Sequence, residues 1–166
     1  NTNIILVLFL LFLNINISYG ADFKFETSTV DYLDDQKIVK ASEGIKIFLE
    51  KNTTIKADKF IYEKEKSKVL IENNVVVEDP VNSLIIYAEE IIYNTNSEII
   101  KSNLPSKVIY KNSYIFDLKN FVYDKKKLLV SSDNFSKLTD ALGNNMSSEK
   151  FIFSINQKII KTKNLI

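Results

Sequence analysis

The sequence predicts an all-β fold, and three observations carry that prediction. An apolar-x-aromatic signature recurs five times at a step of 30 or 31 residues. The residues leading into each signature alternate inward and outward with period two, as a half-buried strand must. After residue 20 no stretch shows an apolar stripe at helical spacing, so about ten to twelve short strands are expected.

The first twenty residues are a different material. They carry no charge, and Ile4 to Leu13 form an unbroken apolar run. As a helix that run would extend about 15 Å, half the depth of a bilayer core and too short for an anchor. The small residues Ser18, Gly20 and Ala21 then suit a cleavage site before Ala21. The expected organisation is a signal peptide over 1–20 and one exported β domain over 21–166. The sequence has no initiator Met and no basic segment ahead of the apolar run, and it stops inside a repeat. A fragment of a longer chain, cut at both its N-terminal and its C-terminal end, is therefore expected.

The signature reads Val30-Asp31-Tyr32, Phe60-Ile61-Tyr62, Ile91-Ile92-Tyr93, Phe121-Val122-Tyr123 and Phe151-Ile152-Phe153. Alternation extends it backwards. Phe23, Phe25 and Thr27 precede the first copy, and Thr53, Ile55 and Ala57 the second. Leu84, Ile86 and Ala88 precede the third, Tyr114, Phe116 and Leu118 the fourth, and Asn144, Met146 and Ser148 the fifth. Between the two halves of a unit the phase slips by one residue, at Asp58-Lys59 and Glu89-Glu90 for example. A one-residue slip flips every side chain, so a bulge or corner is required there.

A second strand fills each unit. Val39 and Ala41 then Ile45 and Ile47 correspond to Val69 and Ile71 then Val75 and Val77. The pivots are Glu43-Gly44 and Asn73-Asn74, residues that include the two types most tolerant of positive φ. The third copy runs from Ile100 and Ser102 through Pro105 to Val108 and Tyr110, and a weaker fourth lies around Leu128, Val130 and Phe135. The polar runs 34–37, 63–68, 94–97 and 124–127 are read as solvated turns.

The composition removes several kinds of chemistry. There is no Cys and no His, hence no thiol nucleophile, no soft-metal site and no imidazole base. Every basic residue is Lys, which lacks the planar fork of Arg, and the formal net charge is +1; nucleic acid is not an expected partner. Gly20, Gly44 and Gly143 are too scattered for a phosphate loop. An enzyme is not expected, nor a cofactor or metal. From periodicity alone the inward stripe fits two structures equally: an open trough, or a closed-core β-solenoid with a structural or adhesive role.

The segment Ile38-Val39-Lys40-Ala41 to Gly44-Ile45-Lys46-Ile47, followed by Ile55-Lys56-Ala57-Asp58-Lys59-Phe60-Ile61-Tyr62, resembles the repeat of the OstA-like family. The second copy, Val69 to Val77 then Ile86 to Tyr93, matches with Glu89 in place of Asp. That resemblance implies an open antiparallel β-jellyroll built from repeats of about 30 residues and preceded by a signal peptide. It further implies a periplasmic conduit that binds lipopolysaccharide and passes it towards the outer membrane of a Gram-negative bacterium. Of the member types, the N-terminal domain of an outer-membrane assembly protein, which would bring a barrel in the same chain, is preferred, with the free periplasmic bridge protein as the alternative. Neighbouring jellyrolls would join by edge-strand pairing. The residues implied to line the lipid groove are Val39, Ile45, Ile47, Ile55, Phe60, Tyr62, Val69, Ile71, Val75, Val77, Ile86, Ile91, Tyr93, Phe116, Phe121 and Tyr123.

Overall fold

The computed structural model describes residues 24–165, so the expected signal peptide and Phe23 lie outside the described residues. Within them the fold is all-β and antiparallel, as predicted: fourteen strands joined in one sheet, with no α-helix. The count exceeds the expected ten to twelve because several long strands are cut in two at a crease.

Four long strands begin the pattern: β3 (Ile38–Phe48), β4 (Thr54–Glu63), β5 (Lys68–Asp79) and β6 (Leu84–Asn94), paired in that order. Their registers break between Ser42 and Ile45, between Lys56 and Lys59, and between Glu72 and Val75. Here Glu43 and Gly44 on β3 face Asp58 on β4, and Asn73 and Asn74 on β5 face Glu89 on β6. Two residues opposing one is a β-bulge, which bends the strand and restores the inward phase. All four bulged residues have positive φ, 70° and 72° for Glu43 and Gly44, 65° and 54° for Asn73 and Asn74. The pivots lie where the sequence placed them. Asn74 Nδ2 donates to Asp58 Oδ2 at 2.8 Å, which ties adjacent crossings of the crease together.

Beyond β6 the sheet forks along the crease. The second half of β6 pairs with β7 (Ile99–Ser102) and the first half with β8 (Ser106–Tyr110). One branch continues through β10 (Phe121–Asp124) and β11 (Leu129–Ser132). The other continues through β9 (Tyr114–Leu118) and β12 (Ser136–Thr139). Both rejoin on β13 (Asn145–Ser154), against which β14 (Ile159–Leu165) lies. At the opposite end β1 (Lys24–Glu26) and β2 (Thr29–Leu33) each pair with half of β3.

In the forked region serines replace the bulge. Ser102 Oγ accepts from Leu104 N at 3.1 Å, and Ser106 Oγ donates to Leu104 O at 3.1 Å. Thirty residues on, Ser132 and Ser136 treat Asn134 in the same way, at 3.2 and 2.9 Å. The hydroxyls satisfy backbone groups left unpaired where the ladder parts.

The result is one sheet folded lengthwise into two leaves. Leaf one carries β2, β7, β10, β11, β14 and the halves of β3 to β6 and β13 nearer residues 38, 63, 68, 94 and 154. Leaf two carries β1, β8, β9, β12 and the other halves. The core lies between them, and ring pairs cross it: Phe25 with Phe60 at 5.0 Å, Tyr110 with Phe153 at 4.9 Å and Phe116 with Phe151 at 5.0 Å. Opposite the crease the hairpin turns form two rims. Along the leaf-one rim each turn bonds the next, Lys64 N to Lys37 O, Thr95 N to Ser67 O, Lys125 N to Glu98 O and Ile155 N to Leu128 O.

Candidate functional site

All sixteen residues that the resemblance implies for the groove fall on one inner surface. Val39, Ile45, Ile47, Ile55, Phe60, Tyr62, Val69, Ile71, Val75, Val77, Ile86, Ile91, Phe116, Phe121 and Tyr123 are at most 2% exposed, and Tyr93 is 5% exposed. The stripe continues into the copies that looked weak in sequence: Ile100, Val108, Val130, Phe151 and Phe153 join the same cluster. Their alternation was diluted by the crease serines, which occupy inward positions without being apolar.

The inner surface is continuous and, in this state, filled by its own side chains. Two grooves among the described residues lie elsewhere, on the outer face of leaf two. One of about 860 Å³ follows the crease past Val76, Tyr87, Lys107 and Phe135, and one of about 770 Å³ runs past Lys46, Lys56, Glu78 and Lys111.

Three sequence expectations need correction. Phe135 is 55% exposed and points outward, because the inward phase of the fourth copy is Val130, Ser132, Ser136 and Leu138. Tyr32 and Tyr114 carry the inward phase but are 46% and 39% exposed. Tyr32 lies on β2, an edge strand that pairs only with β3, and Tyr114 is the first residue of β9 beside a rim turn. The run 124–127 is not a wholly solvated turn: Lys125 is 5% exposed.

Lys125 belongs to a polar cluster that spans the mouth between the rims. Its Nζ donates to Thr53 Oγ1 at 3.0 Å and to Glu50 O at 3.4 Å, so a turn of leaf one grips a turn of leaf two. Beside it the Tyr123 hydroxyl, from leaf one, donates to Asp79 Oδ2 at 2.7 Å, at the end of β5 in leaf two. Asn82 completes the carboxylate's shell, its backbone N donating to Oδ1 at 3.1 Å and its Nδ2 to Oδ2 at 2.9 Å. Thr53, Asp79 and Tyr123 are at most 1% exposed. Burial raises the pKa of the Tyr123 phenol, and the bond to Asp79 adds to the effect. Burial lowers that of Lys125, with the Asp79 carboxylate acting against it.

Sequence reasoning placed Thr53 and Tyr123 inward but missed Asp79, Asn82 and Lys125. A usable signal was present: Asp79 continues the inward series Val75, Val77, and a charge in that phase demands a partner. Among the described residues no group of acids could hold a metal ion, and no helix is long and apolar enough to cross a membrane.

No family model matches the chain, and no curated protein does. Among solved structures it is similar to LptH, the LptA-homologous periplasmic component of the lipopolysaccharide transport device of Pseudomonas aeruginosa. The likeness has 11% identity and a TM-score of 0.33, over 86% of this chain and 82% of that one.

Proposed function

We propose that this chain is an exported OstA-like module that binds lipopolysaccharide between its leaves and relays it across the periplasm towards the outer membrane. One observation carries the reading: a single apolar surface runs the length of the sheet, bounded by a continuous crease on one side and by a mouth of hairpin turns on the other. A saturated acyl chain buried there would gain about 0.8 kcal/mol per methylene. The sixteen inward residues are its proposed lining, and residues 1–20 its proposed signal peptide.

No catalytic role is proposed. Among the described residues the sheet ends on its N-terminal side in β1 and β2. Such edges suit edge-to-edge pairing with neighbouring jellyroll subunits. Of the family's member types, the N-terminal domain of LptD is the one proposed, with an outer-membrane barrel following in the same chain; a free LptA-type protein is the alternative.

The runner-up, a closed-core solenoid used for structure or adhesion, has less support. A solenoid coil stacks strands in parallel, whereas every pairing here is antiparallel, in a meander folded across a crease. Native mass spectrometry of the exported protein with purified lipid A tests the proposal. A one-to-one adduct is expected. A folded protein that takes up no lipid A would return the reading to the closed core.

A further inference from the structure

We infer that the buried polar cluster at the mouth is a latch, which holds the leaves shut and must release for a lipid to pass sideways into the interior. The inference rests on the conduit reading for its purpose, though not for its mechanics.

The crease cannot be the moving edge. β3 to β6 run across it without interruption, and where the strands part, the serine hydroxyls close the backbone bonds. The rims are not tied to each other by backbone–backbone bonds among the described residues. Among the described residues each backbone hydrogen bond between hairpin turns joins turns of the same rim, as in Thr95 N to Ser67 O on one and Lys111 N to Ser83 O on the other. Side-chain bonds do cross the mouth, among them Tyr123 to Asp79, braced by Asn82, and Lys125 to Thr53 and Glu50 O.

The residue types fit a latch better than a permanent seal. Apolar side chains at these positions would hold the rims together at all times, because parting them would expose hydrocarbon to water. A phenol, a carboxylate and an ammonium lose hydration when shut and regain it when parted, so parting this cluster costs less than parting hydrocarbon in its place would. The groups are nonetheless fully paired when closed, which makes the shut state a defined one. Since the interior is filled in that state, a bulky lipid requires the open one.

The test uses spin labels at two exposed rim positions on opposite leaves, Val81→Cys and Lys127→Cys, which is straightforward in a chain without native cysteine. The label-to-label distance is measured in the full chain by pulsed electron resonance, with and without Tyr123→Phe and Lys125→Met. A single short distance that gains a longer population in the double variant supports the latch. An unchanged distribution in a folded double variant overturns it, whatever the protein binds. Lipid A uptake is then followed in the same proteins. Loading faster by roughly fivefold or more is expected, the scale of one lost net hydrogen bond. If the mouth opens but neither protein takes up lipid A, the latch stands and the conduit reading fails. If both take it up equally fast while the mouth opens, lipid passes by the sheet ends and the gating role is overturned.

Discussion

The Tyr123 hydroxyl and the Asp79 carboxylate meet at 2.7 Å across 44 residues of chain, one on each leaf of the folded sheet. Their bond fixes how the leaves are offset: β10 of leaf one lies over the end of β5 in leaf two, three pairings away in the sheet order. The ring contact of Tyr110 on β8 with Phe153 on β13 repeats that offset further along. The interior is therefore a slanted trough with its leaves displaced.

Replacing Tyr123 by Phe removes one oxygen and leaves Asp79 with its Asn82 donors. A loss of about 1–2 kcal/mol is expected in denaturant unfolding, with the slope unchanged. Lys126→Ala, one residue past the latch and half exposed, should stay within about 0.5 kcal/mol of wild type.

The same phenol predicts an alkaline signature. Its pKa is raised above the usual 10.0, first by burial and then by the bond to Asp79, so the folded chain holds this proton more tightly than the unfolded one. That contribution is complete below pH 10 and is lost as pH climbs beyond it. Lys125 has the opposite sign: its lowered pKa means that stability from this group rises with pH up to its usual 10.5. Ultraviolet titration should show tyrosine ionisation delayed until the fold is lost, and the amplitude of that step should fall by one phenol in Tyr123→Phe.

The strand phase is tested by neighbours of equal chemistry. Ile91 is fully buried, whereas Ile92 faces outward and is half-buried. Ile91→Ala should cost about 2–5 kcal/mol, the range for a filled core site. Ile92→Ala should cost under about 1 kcal/mol. Equal costs would mean that both faces of the sheet are covered.

At the crease, Gly44 has φ of +72° with open space around the position of a Cβ. Gly44→Val should therefore act through backbone strain alone and cost about 1–2 kcal/mol. Asn74→Ala keeps that backbone problem and also removes the bond to Asp58. Thermal melts of the two single variants and the double are expected to show non-additive shifts, because both sites meet at Asp58, which Gly44 faces across the bulge and to which Asn74 bonds.

The core was legible because burial alternates with strand period, so Ile55, Phe60 and Tyr62 declare their face from spacing alone. The crease was legible for the same reason: a phase slip flanked by Glu43-Gly44 or Asn73-Asn74 has one economical geometry. The latch was not. Thr53, Asp79 and Lys125 come together through the offset of two leaves, which no local pattern encodes, and Lys125 sits in a lysine run that reads as solvent-facing. The outward turn of Phe135 was hidden similarly, since Ser132 and Ser136 hold the inward phase on either side of it.

The measurement that bears most directly on the central claim is cross-linking in cells with a small photoreactive diazirine side chain at Ile86 or Ile85. Ile86 is 1% exposed on the inner surface, and Ile85 faces out beside it. Lipopolysaccharide adducts at 86 and none at 85 are the expected result. A folded, exported protein with no adduct at 86, or with adducts at 85 alone, would contradict a lipid path between the leaves.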